Sequence, residues 1–149
     1  MAFSVVKLLH ILSMAVWFGI GLSVASDVKR TLARGKPHTE LLGARVGRTL
    51  LIAAVGGLAT LATGIGLIVL SGGMKGVPPR IHAGLGLSIV AYALLLVVIR
   101  PLAARLDEVI AKGTAEEATT LAKRLAMMTG IDHTLKLVVL VLMVLPLGG

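Results

Sequence analysis

Several ionisable side chains lie well inside apolar stretches of the sequence, where such groups are costly to place, and five of them are candidates for function. They are His10, His82, Asp132, His133 and Lys136. Ionisable residues in membrane-spanning segments usually face the bundle interior or a cavity, so each is a candidate functional residue. Imidazoles on facing helices of a bundle can supply the two axial ligands of a haem. Asp132 and Lys136 are four residues apart and can pair on one helix face.

The first candidate site lies within the apolar run from Lys7 to Gly21. His10 and Trp17 are separated by two helical turns with Met14 between them, so the three side chains share one face. We expect this face to point into the bundle. His10 is then the predicted ligand, with Trp17 and Met14 beside the cofactor.

The composition indicates a polytopic membrane protein. Of 149 residues, 56% are hydrophobic and 15% are charged, whereas a soluble domain carries about 25% charged residues. We predict an all-α single domain over 1–149, with spans at about 3–26, 49–70, 81–99 and 125–147. Joined in sequence, these spans form an up-and-down four-helix bundle. The chain has no cysteine, which excludes disulfides and thiolate metal sites.

The placement of basic residues predicts how the bundle is oriented. The segments 27–48 and 100–124 hold eleven Lys and Arg, whereas the opposite side holds Lys7, Lys75 and Arg80. By the positive-inside rule, the two basic segments face the cytoplasm and both termini face away from it. We therefore predict a multi-pass protein of the bacterial inner membrane. The same rule explains the net charge of +8, so we do not expect nucleic-acid binding.

Local signals predict where individual helices begin and end. Gly35 and Pro37 should break the first helical segment, and Pro101 should end or bend the third. Thr114 and Glu117 fit a capping box that opens the fourth helix, expected from about 115 to 145.

Small residues recur along one face of the second span, where they allow close helix approach or leave room for a flat cofactor. They are Ala53, Gly57, Thr60 and Gly64. Gly21 and Gly86 are assigned to the same cofactor space.

The three histidines within the predicted spans fall into two layers of the bundle. His10 and His82 belong to the outer leaflet and differ in depth by roughly 10 Å at 1.5 Å per residue. His133 enters from the inner side, where it either ligates a second cofactor or forms a polar cluster with Asp132 and Lys136. A structural or proton-handling role for the histidines is the main alternative to haem. Copper is another, because histidine and methionine suit this metal; the methionines in question are Met14, Met127, Met128 and Met143.

The first helix resembles a widespread bacterial type at Lys7-Leu8-Leu9-His10-Ile11 and at Trp17-Phe18-Gly19. It is similar to helix 1 of HemJ-type protoporphyrinogen oxidases and of the CopD copper-resistance membrane domain. Ile81-His82 matches the opening of helix 3 in the HemJ type. The resemblance implies haem binding by His10 and, more weakly, by His82. HemJ-type proteins carry a lysine two residues after the helix 3 histidine, where this chain has Gly84.

The leading functional hypothesis is a b-type haem protein that transfers electrons in the membrane. One alternative is a HemJ-like protoporphyrinogen oxidase. Another is a non-catalytic accessory subunit of a membrane complex, or a copper-handling protein. The expected partners are the lipid bilayer, a redox partner or larger membrane complex, and a second copy of the chain. The sequence leaves open whether the protein is an enzyme.

Overall fold

The computed structural model describes residues 1–145, and these fold into four long helical rods. Rod 1 comprises α1 (Ala2–Gly21) and α2 (Val24–Arg34), and rod 2 comprises a 3₁₀ turn (His38–Leu41) and α3 (Leu42–Leu70). Rod 3 comprises α4 (Pro79–Leu94), a π-helical segment (Leu95–Ile99) and α5 (Arg100–Lys112). Rod 4 is α6 (Ala115–Val144), and a 3₁₀ turn (Met74–Gly76) lies between rods 2 and 3.

All four rods are long and apolar enough to cross a membrane. They contain 30 to 34 residues each, which corresponds to about 45–51 Å at 1.5 Å per residue. Since the hydrocarbon core of a bilayer is about 30 Å thick, every rod continues beyond it. The predicted all-helical architecture with four apolar spans is confirmed, whereas the sidedness of the termini stays a prediction.

The rods pack in the order of the chain. Rod 1 lies against rod 2 mainly through α1 and α3, and rod 3 lies against rod 4 through α4 and α5 on α6. Contacts of α3 with α4 and α5, and of α2 with α6, close the ring. Rods 1 and 3 are therefore diagonal neighbours, as in an up-and-down bundle.

The polar segments between the predicted spans are largely helical, which the sequence did not lead us to expect. Rod 1 continues to Arg34, α3 begins at Leu42, and α5 extends to Lys112. We call this part of the bundle the basic end. Its interior is mainly apolar, and besides the polar Thr31 and Thr39 it contains buried Val24, Val28, Leu42, Val46, Ala103, Leu106, Ala118 and Leu121. This core explains why the helices persist where their outer faces are charged.

Pro101 does not end the third helix. The chain passes through the π segment at Leu95–Ile99 and continues as α5, with Pro101 in its first turn. Proline lacks an N–H donor, and its ring clashes with the carbonyl four residues earlier in a regular helix. A wider π turn just before the proline accommodates both effects. Of the two effects predicted for Pro101, it does not end the helix, and the helical geometry changes just before it.

The other boundary signals are confirmed. α2 ends at Arg34, and Gly35 follows with φ of 67°, a backbone conformation that favours glycine. Thr114 and Glu117 form both hydrogen bonds of a capping box at the start of α6. α6 covers most of the predicted fourth span, and residues 146 and 147 of that span lie outside the described residues.

Candidate functional site

A buried ion pair lies in the apolar part of α6. Lys136 Nζ is 2.6 Å from Asp132 Oδ2, and the two side chains are only 1% and 4% exposed. One helical turn separates the residues, so the regular backbone of α6 is sufficient to bring them together. The pair predicted from the sequence is confirmed.

Trp17 of α1 packs directly against the lysine. Lys136 Nζ lies 4.8 Å from the centroid of the Trp17 ring and donates a hydrogen bond to the Trp17 carbonyl at 3.3 Å. Trp17 is completely buried, and Tyr92 of α4 meets its ring edge-on at a centroid distance of 6.3 Å. A cation over an aromatic face is stabilised most when both are desolvated. Side chains of three rods thus pack around the Trp17 ring.

Three buried polar atoms of this part of the bundle have no hydrogen-bond partner. They are Trp17 Nε1, Asp132 Oδ1 and His133 Nε2. His133 Nδ1 donates to the Thr129 carbonyl at 2.7 Å, so a neutral His133 presents Nε2 as an acceptor. Two acceptors and one donor therefore remain free in the bundle core. We call Trp17, Asp132 and Lys136 the core cluster; the ring of His133 contacts Phe18 and bonds Thr129 of its own helix.

The buried face of α6 changes in character along its length. At the basic end it is apolar, with Ala118, Leu121 and Leu125 buried. Further along the same face the buried residues are Thr129, Asp132 and Lys136, followed by Val139. Thr60 of α3 and Ser88 of α4 are also buried, although their hydroxyls donate to carbonyls of their own helices. The interior is thus most polar within the apolar spans.

His10 is held against α3. Its Nδ1 lies 3.1 Å from the Thr60 carbonyl and 3.0 Å from Thr63 Oγ1. A carbonyl only accepts, so Nδ1 carries the proton and Nε2 of the neutral ring keeps its lone pair. Histidines that bind metals commonly donate their other N–H to a backbone carbonyl in this way. His10 is therefore suited to bind a metal through Nε2.

His82 makes a different contact. Its Nε2 donates to the Met74 carbonyl at 2.9 Å, in the connection that precedes α4. A neutral His82 therefore keeps the lone pair of its Nδ1. His10 and His82 lie on diagonal rods, and their rings are bonded to different elements: His10 to α3, and His82 to the connection before α4. The haem site predicted between His10 and His82 stays a prediction.

The glycines predicted to leave room for a cofactor lie beside other side chains of the protein. A Cβ at Gly57 would be 2.9 Å from Trp17 Nε1, and one at Gly64 would be 3.2 Å from His10 Cε1. A Cβ at Gly21 would be 2.9 Å from His133 Cε1, whereas Gly86 has no such neighbour within 4 Å. The first three glycines therefore admit the rings of Trp17, His10 and His133.

Several contacts of the site were missed by sequence reasoning. Tyr92 stands edge-on to Trp17, Thr63 bonds His10, and Phe18 meets the His133 ring edge-on at 5.8 Å. The signal for Tyr92 was present, since it is the only tyrosine and lies in an apolar span. The other two depend on how the helices are rotated, which spacing alone does not determine.

Methionines near the candidate sites pack as apolar residues. Met14 and Met128 pack against the hydrophobic core, and the Met143 side chain lies against Gly84. Met127 is 55% exposed. Within residues 1–145, no three His, Asp or Glu side chains are grouped so that they could hold a metal ion. The copper alternative therefore stays a prediction based on sequence.

Comparisons with known proteins identify no relative. No protein-family model, no curated protein and no solved structure matches the chain. The resemblance to HemJ-type and CopD proteins stays a prediction.

Proposed function

We propose that this protein moves protons in the membrane, with Asp132 and Lys136 as the site that binds and releases them. The observation that carries the proposal is the ion pair itself, two opposite charges 2.6 Å apart and almost fully buried in the apolar part of α6. Ionisable residues inside membrane bundles mark ion pathways and proton relays.

Stability alone is a weak explanation for this pair. Removing two charges from water costs several kcal/mol per ion, and apolar residues of similar volume often stabilise a core equally well. The interior beside the pair already contains apolar residues that fit it, such as Trp17 and Val139. A role in proton transfer explains why charged residues occupy this buried position, which packing alone does not explain.

The free acceptor atom of Asp132 gives the pair a way to exchange protons. Oδ2 is held by Lys136 Nζ, whereas Oδ1 has no partner. When water enters the core, a proton from a hydronium ion binds Oδ1, and the carboxylate becomes a neutral acid. The Lys136 ammonium then releases a proton to water and becomes an amine. After the carboxyl group rotates, its proton passes to this amine and the ion pair is restored, so one proton enters and one leaves.

A liposome assay tests the proposal. The purified protein is reconstituted with a pH-sensitive dye inside, and proton entry is followed after a potassium diffusion potential is applied. The wild-type protein should acidify the lumen faster than protein-free liposomes. The double variant Asp132→Asn/Lys136→Met keeps the side-chain volumes but removes both charges, and its rate should fall to that of protein-free liposomes.

Thr134→Ala is the matched control, because Thr134 lies on α6 between the two residues but is exposed and bonds only the Gly130 carbonyl. This variant should transport at the wild-type rate. A wild-type rate no greater than that of protein-free liposomes, or an unchanged rate in the double variant, would contradict the proposal.

The second candidate function is haem binding with His10 as an axial ligand. The observation that favours it is the bond from Nδ1 to the Thr60 carbonyl, which leaves Nε2 available to iron. Haem would supply one-electron redox chemistry, while the chain orients the His10 ring through Thr60 and Thr63.

Absorption spectra of the protein purified from haem-replete cells test this candidate. A Soret band should be present, should shift on reduction with dithionite, and should be lost in His10→Ala. His38→Ala is the control, because His38 lies in the connection between α2 and α3. Sharp α and β bands that disappear in His82→Ala would show that His82 is the second ligand. A flat visible spectrum would exclude the candidate.

A further inference from the structure

A polar cleft of about 360 Å³ opens between α2 and α3, away from the core cluster. It is lined by Ser23, Val24, Ser26, Asp27, Arg30, Arg45, Val46 and Thr49. The predicted first span ends at Ser26 and the second begins at Thr49. The cleft therefore lies where the apolar spans meet the basic end, which is the depth of lipid headgroups.

One wall of the cleft is an arginine fixed by a carboxylate. Arg45 donates to both oxygens of Asp27, from Nε at 2.8 Å and from Nη2 at 3.0 Å. Nη2 also donates to Thr31 Oγ1 at 2.9 Å. The charge of Asp27 is therefore already matched by Arg45, and both of its oxygens are engaged.

Arg30 supplies the uncompensated charge. Among residues 1–145 no carboxylate lies within ion-pairing distance of its guanidinium. The nearby hydroxyls are already used as donors, since Ser26 donates to the Ser23 carbonyl and Thr49 to the Arg45 carbonyl. The cleft thus offers net positive charge with guanidinium donors. This combination suits a phosphate ester, whose oxygens accept from guanidinium N–H groups in pairs.

We infer that this cleft binds the phosphate group of an anionic phospholipid. A lipid is favoured over free phosphate because the cleft lies at headgroup depth and its lining includes the apolar side chains of Val24 and Val46. The acyl chains would then continue along the exposed apolar surface of rods 1 and 2. Basic residues next to a membrane attract anionic lipids by the same electrostatics.

Native mass spectrometry of the full-length protein tests the inference. The protein is released from micelles containing phosphatidylglycerol or phosphatidylcholine, and the lipid-bound fraction is measured. Phosphatidylglycerol should be retained more than phosphatidylcholine. Arg30→Gln should weaken phosphatidylglycerol retention by about fivefold, the effect of one basic residue at a membrane surface.

Arg34→Gln is the matched control, because Arg34 is one turn further along α2 and does not line the cleft. It should retain the lipid like the wild-type protein. Equal retention by Arg30→Gln and the wild type would overturn the inference. Displacement of the bound lipid by millimolar inorganic phosphate would also overturn it, because the site would then belong to a soluble anion.

Discussion

Lys136→Met should lower the free energy of unfolding by about 3–5 kcal/mol, because it leaves the Asp132 carboxylate buried without its counter-charge. The Asp132 side chain is 4% exposed, and its Oδ1 already lacks a partner. The variant also removes the cation that lies over the Trp17 ring. Unfolding can be measured by circular dichroism in mixed micelles of increasing SDS content.

The double variant Asp132→Asn/Lys136→Met is the control for this prediction. It removes both charges, so most of the lost stability should return. A second measurement is available because Trp17 is the only tryptophan of the chain. Its emission spectrum should change when Lys136 is replaced, since the ammonium lies 4.8 Å from the ring centroid. If Lys136→Met were as stable as the double variant, the ion pair would not be coupled as described.

Gly57→Ala should destabilise the protein by about 1–3 kcal/mol, the typical cost of inserting a methyl group into a packed core. A Cβ at this position would lie 2.8 Å from Tyr92 Cδ2 and 2.9 Å from Trp17 Nε1. Both atoms belong to rings that are packed against each other across the bundle. The Trp17 ring cannot move away without disturbing Lys136, which lies over its face, so proton transport should fall together with stability.

Gly86→Ala is the matched control, because Gly86 also lies in a helix of an apolar span but has no atom within 4 Å of a built Cβ. Alanine is the better helix former, by about 1 kcal/mol. Gly86→Ala should therefore leave the protein as stable as the wild type or slightly more stable. Thermal unfolding in detergent compares the two variants directly. Equal losses at both positions would contradict the assigned packing around Gly57.

The sequence by itself determined the features that depend on neighbouring residues. Apolar runs long enough to cross a bilayer predicted four spans, and the Thr114–Glu117 capping box predicted the start of α6. The Asp132–Lys136 pair also follows from sequence, because one turn of helix always brings such residues together. The seven-residue spacing of His10 and Trp17 correctly placed Trp17 in the bundle interior.

Only the tertiary structure decided how far the helices extend and what the small residues accommodate. The polar segments after Ser26 and around Pro101 are helical because their apolar side chains share a core with other rods. The sequence of these segments alone does not show that other rods pack against them. The space beside Gly57 and Gly64 is filled by Trp17 and His10 because of how α1 packs on α3. His10 bonds α3 while His82 bonds the connection at Met74. Those partners depend on helix rotation and depth, which arise from packing between residues distant in sequence.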